Sequence, residues 1–212
     1  MSHRTCRLTL ALLAIVVWAA TGSVRAGDAP TPFFNGKDFE GWEGRLEYWK
    51  VKDGVITGST PDGLKFNTFL CSKQKYGDFE LKFQVKMTKS GNSGVQIRSH
   101  IHDAKTFAVT GPQCDMGGPY WGSLYGEHFG GMMKAADAKL VKKVLKEEDW
   151  NDYYIKAVGK RIIIKLNGET TVDAQFAKAP DTGIIGWQLH AGGPMEVSFR
   201  NIQFTPIVAE KK

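Results

Sequence analysis

From Phe79 to Met87 apolar and polar side chains alternate without a break: Phe79, Leu81, Phe83, Val85 and Met87 against Glu80, Lys82, Gln84 and Lys86. A period of two belongs to a strand with one buried and one wet face. Similar patterns predict strands at residues 94–99, 153–158, 183–190 and 196–204. Trp49 to Lys52 and Val55 to Thr57 flank Asp53-Gly54, and Arg161 to Leu166 and Thr170 to Val172 flank Asn167-Gly168. Both dipeptides tolerate positive φ at two successive positions, so each predicts a tight hairpin. Residues 135–148 carry the one helical stripe, Leu140, Val141 and Val144, and form either a helix or an extended loop. So many short strands bury their apolar faces as two packed antiparallel sheets, an all-β sandwich. Trp42, Trp49, Trp150 and Trp187 are expected in its interior.

Four short stretches break the usual scatter of Lys, Glu and Thr on a wet sheet face. Gln96 and Arg98, Gln113 and Asp115, Tyr125 and Glu127, and Gln188 and His190 are each two positions apart, so each pair points to one side of its strand. Amides, carboxylates, a phenol and an imidazole gathered on one face match the hydroxyls of a sugar, and this face is the candidate site. His100 and His102 share a side of their strand, but two histidines without a third ligand do not define a metal centre. The glycines at 111, 117, 118, 122, 126, 130 and 131 lack phosphate-cradle spacing and are expected in mobile loops at the rim of the site.

The first residues change the picture of the compartment. Arg4 and Arg7 precede an apolar run from Leu8 to Ala20, and Val24-Arg25-Ala26 ends in a small residue. This is the pattern of a secretory signal peptide cut after Ala26, and the run is short for a membrane span. Cys6 lies before the apolar core rather than after it, which argues against a lipoprotein anchor. Residues 1–26 are thus a leader and residues 27–212 a single domain, in the periplasm or outside the cell. Removing the leader takes away three Arg and no acid, so the formal charge of +6 falls to +3. No basic stripe remains that would follow a nucleic acid backbone, and no later segment is apolar enough to span a membrane. Cys71 and Cys114 remain, either as a buried disulfide or as two buried thiols. On a strand Cys114 faces away from Gln113 and Asp115, towards the core.

Phe34-Asn35-Gly36-Lys37-Asp38-Phe39-Glu40-Gly41-Trp42, Trp49-Lys50-Val51-Lys52-Asp53-Gly54, Tyr76-Gly77-Asp78-Phe79-Glu80-Leu81 and Asn92-Ser93-Gly94-Val95-Gln96-Ile97-Arg98-Ser99 follow one another in order. Asp149-Trp150-Asn151-Asp152-Tyr153 and Phe199-Arg200-Asn201-Ile202 complete the series. In this order they resemble the 3-keto-disaccharide hydrolase family over nearly all of the chain after the leader. The resemblance implies a jelly-roll sandwich of the concanavalin-A-like lectin and glucanase type, and activity on glycosides already oxidised at C3. Gly111 stands where many relatives carry an acid two positions before the glutamine. Gly111 to Asp115, followed by Tyr120-Trp121-Gly122-Ser123-Leu124-Tyr125-Gly126-Glu127, looks closer to a subgroup of the family.

A ketone at C3 acidifies the C2 proton and disfavours an oxocarbenium ion at C1, so elimination of the aglycone is easier than direct hydrolysis. Such a site needs a base near C2, a stabiliser for the enolate oxygen and an acid for the leaving oxygen. The expected base is His190 or Glu127; Arg98 or a bound divalent cation stabilises the enolate; Asp115 assists the leaving group or holds that cation. Gln96, Gln113, Gln188 and Tyr125 are expected to bind hydroxyls, and Trp121 to stack on a sugar ring. A carbohydrate-binding module without turnover, and a conventional glycosidase using Asp115 and Glu127 as a carboxylate pair, are the alternatives.

Overall fold

The nine-residue alternation forms a strand whose apolar side is buried and whose polar side is not. The computed structural model describes residues 32–208; the predicted leader lies outside them. In chain order the strands are β1 (Trp42–Glu43), β2 (Trp49–Lys52), β3 (Val55–Thr60), β4 (Thr68–Ser72), β5 (Phe79–Met87), β6 (Ser93–Asp103) and β7 (Ala108–Met116). They continue with β8 (Leu124–Glu127), β9 (Gly131–Lys134), β10 (Asn151–Val158), β11 (Arg161–Leu166), β12 (Glu169–Gln175), β13 (Ile184–Leu189) and β14 (Met195–Pro206). One helix, α1 (Ala138–Val144), is capped by the Asp137 carboxylate, which accepts from the Lys139 and Leu140 amides. Of the fourteen residues with a helical stripe, seven are therefore helical.

Two antiparallel sheets hold the strands in the orders β1-β4-β13-β6-β7-β8-β9 and β12-β11-β10-β5-β14-β3-β2. This is the expected all-β jelly-roll sandwich. Both hairpins form as the dipeptides predict: Asp53 and Gly54 have φ of 50° and 76°, Asn167 and Gly168 of 49° and 89°. Between the sheets Trp187 packs edge-on against Phe83, with ring centroids 5.1 Å apart, and against Phe199 at 4.5 Å. Trp42 and Trp49 are buried with it. Trp150 is not: it is half-buried beneath the Arg200 guanidinium, 3.9 Å from its ring centre. The glycine-rich stretch is more ordered than expected, because Gly111, Gly126 and Gly131 lie within β7, β8 and β9.

Register places the cysteines. Trp187, Val95, Cys114 and Leu124 sit side by side across β13, β6, β7 and β8 and face the core. Cys71 pairs with Gly186, one residue out of that row, and packs with Phe69, Val109 and Ile184 in a separate apolar cluster on the opposite face. The two thiols point to opposite sides of one sheet, so both are free and buried. Burial pushes both thiols well above the usual range.

Candidate functional site

The face opposite that core row carries the polar residues. Gly186, Gln96, Gln113 and Tyr125 are neighbours across four strands. Gly94 pairs with Asp115, and Gly111 with Glu127, on the same side. A cavity of about 390 Å³ opens on this face, lined by Gln113, Asp115, Tyr125, Glu127 and His190. Asn67, Asn92, Tyr120 and Met132 complete its wall. A more open trough of about 630 Å³ lies on the outer face of the other sheet, over Tyr154, Lys82 and Lys165. Glu80 on its wall pairs across strands with Lys156 at 2.8 Å, and none of the expected site residues lines it.

His190 follows the last residue of β13, at the edge of the cavity. Its Nδ1 lies 2.6 Å from the Ala191 carbonyl oxygen. A carbonyl only accepts, so Nδ1 carries the hydrogen and the neutral ring keeps its lone pair on Nε2. The Ala191 amide donates in turn to Asn67 Oδ1 at 2.8 Å, and Asn67 Nδ2 donates to Glu127 Oε1 at 2.9 Å. Asn67 thus ties the histidine turn to the carboxylate across the cavity.

Asp115 is held from three sides. Gln113 Nε2 donates to its Oδ1 at 2.5 Å, its amide donates to the Ser123 carbonyl at 2.9 Å, and its own carbonyl accepts from the Tyr153 hydroxyl at 2.9 Å. Burial raises its carboxyl to about 7; the Gln113 bond opposes the rise and the Glu127 charge adds to it. Between the ordinary value near 3.8 and the folded value near 7, the native state keeps a proton that the unfolded chain has released. The sign follows: stability from this group is complete at the acid end and is lost as pH rises through 7. Asp115→Asn is therefore expected to match the wild type in stability at pH 4 and to exceed it at pH 8, by on the order of 4 kcal/mol. Chemical denaturation at the two pH values measures this.

Two expected site residues stand elsewhere. Arg98 is buried behind a bulge: the β6–β7 register shifts between Gln96 and His100, and Arg98 has a φ of 48°. The side chain therefore leaves the face that Gln96 occupies. Its Nε donates to the Gly77 carbonyl at 2.8 Å, Nη1 to those of Gly159 and Pro180 at 2.5 and 3.2 Å, and Nη2 to Asp78 at 2.7 Å. Neither Arg98 nor any of these partners lines the cavity. Trp121 is buried in the core, and its neighbour Tyr120, 44% exposed at the end of a short turn of 3-10 helix, joins Tyr125 at the cavity instead.

Gln96 and Gln188 lie on the expected face but are fully buried, so neither presents its amide to a ligand in the cavity. The turn joining β6 to β7 covers this part of the sheet. Thr68 Oγ1 donates to the Thr106 carbonyl at 2.6 Å, and Phe107 and Ile101 pack on the cluster around Phe69. Among the described residues no three His, Cys, Asp or Glu side chains converge as a metal-ligand set. Asn67 and Met132 carry no signal in the sequence, since a loop and an edge strand bring them to the cavity.

The chain is similar to solved carbohydrate-active and carbohydrate-binding proteins. A candidate glycosyl hydrolase of Parabacteroides distasonis superposes with a TM-score of 0.60 at 23% identity, over 82% of this chain and 92% of that one. The carbohydrate-binding module CBM66 of Bacillus subtilis gives 0.57 at 16% identity, over 82% and 99%. The carbohydrate recognition domain of Emp47p gives 0.53 at 14%, over 81% and 91%. At these identities the likeness establishes the shared sandwich. No curated protein matches the sequence. Among the described residues no helix is long and apolar enough to cross a membrane. The sequence model of one family matches residues 29–205, and by that match the chain belongs to the 3-keto-alpha-glucoside-1,2-lyase-like domain family.

Proposed function

We propose that this protein acts in the periplasm or outside the cell, after loss of residues 1–26, and cleaves glycosides whose sugar carries a ketone at C3. The observation that carries the reading is that one cavity holds both an imidazole with its lone pair on Nε2 and a carboxyl held near neutrality. Two such groups with different environments divide the work of base and acid. His190 Nε2 takes the C2 proton, and the electron pair moves into the C3 carbonyl to give an enolate. Asn92 and the tyrosine hydroxyls of the wall supply hydrogen bonds to that oxygen. As the enolate collapses, the bond from C1 to the aglycone breaks and protonated Asp115 gives its proton to the leaving oxygen. The products are the free aglycone and a 3-keto sugar with a C1–C2 double bond. Water then adds to C1 and gives one proton to the Asp115 carboxylate while the imidazolium returns its proton to C2, which completes a net hydrolysis and restores both groups.

Glu127 is hydrogen-bonded by Asn67, and its charge favours the proton on Asp115. The expected pair of outcomes is that His190→Ala loses turnover, whereas Glu127→Gln loses less and moves the Asp115 limb of the rate profile to lower pH. Wild-type turnover in both variants would remove the assignment. The exposed side chains of Tyr120 and Met132 give the mouth of the cavity an apolar rim beside which the aglycone leaves.

A further inference from the structure

Behind the cavity wall the buried amides form a chain with a direction. Ser99 Oγ donates to Gln96 Oε1 at 2.6 Å, Gln96 Nε2 donates to Gln113 Oε1 at 2.9 Å, and Gln113 Nε2 donates to Asp115 Oδ1 at 2.5 Å. Gln113 Nε2 also reaches Gln188 Oε1 at 3.3 Å. Every donor points towards Asp115, which suits an ionised carboxylate. One group does not fit this arrangement. Gln188 Nε2 is buried and has no hydrogen-bond partner. A buried donor left unpaired is costly.

The chain can be turned round without moving any backbone. An amide rotated end over end exchanges its donor for its acceptor at nearly the same positions. A protonated Asp115 donates to Gln113 Oε1, Gln113 Nε2 then donates to Gln96 Oε1, and Gln96 Nε2 to Ser99 Oγ. The Ser99 hydroxyl has a second acceptor in place, the Ile97 carbonyl at 3.0 Å. Gln188 turns with them, so that its Nε2 meets Gln113 Oε1. The group left without a partner is then the Gln188 carbonyl oxygen, a smaller cost than an orphaned N–H. Two glycines give the chain its room. A Cβ at Gly94 would lie 2.7 Å from Cγ and Cδ of Gln113, and one at Gly111 would lie 2.8 Å from Ser99 Cβ.

We propose that Ser99, Gln96, Gln113 and Gln188 form a reversible amide relay whose direction follows the protonation of Asp115, letting this carboxyl give up and regain a proton while its own hydrogen bond is kept. The inference rests on Asp115 as the proton carrier of the reaction. Gln96, Gln188 and Ser99 are positioning residues that act on it through Gln113. The other titratable groups around Asp115 are Glu127 and Tyr125 from β8, Tyr120 from the turn after β7, His190 beyond β13, and the Tyr153 hydroxyl of β10 on its carbonyl. The Cys114 thiol points to the other face of the sheet. The rise of the Asp115 carboxyl through burial and the Glu127 charge brings its change of state near neutrality.

Nuclear magnetic resonance tests the relay without needing turnover. The Asp115 carboxyl carbon and the side-chain amides of Gln96, Gln113 and Gln188 are followed together from pH 4 to pH 10. One shared midpoint is expected for all four, and Asp115→Asn should leave the Gln96 and Gln188 amides flat. Flat Gln96 and Gln188 signals while Asp115 titrates would overturn the relay. A shared midpoint in a protein that cleaves no 3-keto-glycoside would keep the relay and remove only the proposed reaction.

Discussion

His190→Ala is expected to lower kcat on a 3-keto-glycoside by roughly 10² to 10⁴-fold, the usual contribution of a positioned general base, while leaving the melting temperature nearly unchanged. The ring stands on the turn after β13, is partly exposed and makes its one hydrogen bond to the adjacent Ala191 carbonyl, so its loss leaves no buried group unpaired. That carbonyl fixes which nitrogen is basic, and the Asn67 bond to the Ala191 amide fixes where the turn lies. KM should change little, because the amides and phenols of the wall remain. A loss of affinity with kcat retained would instead make His190 a sugar-binding group. Steady-state kinetics of purified wild type and variant separate the two.

Arg98→Ala is expected to act on the opposite quantity. Its guanidinium supplies donors to three backbone carbonyls and to Asp78, whose Oδ1 also accepts the Gly159 amide. Removing it leaves the carbonyls of Gly77, Gly159 and Pro180 and a half-buried carboxylate without their donor, at a cost of about 3 kcal/mol. Lys cannot restore the fork, so Arg98→Lys should recover only a small part. Below the melting transition the folded variant should turn over substrate at close to the wild-type rate. Denaturant unfolding gives the first quantity and kinetics at low temperature the second. A stable Arg98→Ala protein that had lost its activity would return Arg98 to the site.

The contrast between these two residues shows what the sequence makes legible. Alternation alone puts Gln113 with Asp115, and Tyr125 with Glu127, on one face, because β7 and β8 run through those residues without a bulge. Gln96 and Arg98 obey the same spacing, yet a single bulge at positive φ parts them, and nothing in Ile97-Arg98-Ser99 announces it. Gln96 and Gln188 are on the right face but beneath a cover that only the β6–β7 turn provides, so facing the site and reaching it differ. Trp121 turns into the core and Tyr120 to the cavity because a turn of 3-10 helix, rather than a strand, sets their directions. The cysteines show the same dependence on register, since one residue of offset between β4 and β7 decides that they cannot meet. Hairpins and sandwich were readable because local turn chemistry and a period of two suffice for them. Asn67 and Met132 were not, because their place in the site depends on long-range packing.

The fold hosts lectins and enzymes alike, so the central claim is turnover that depends on the ketone. The most direct measurement is release of aglycone from a 3-keto-β-glucoside beside its unoxidised counterpart, with the same purified protein at neutral pH. Cleavage of the keto sugar alone, through a transient ultraviolet-absorbing enone, is the predicted result. Cleavage of the unoxidised sugar would point instead to Asp115 and Glu127 as a conventional carboxylate pair, and binding of both sugars without cleavage of either would contradict the account in favour of a carbohydrate-binding module.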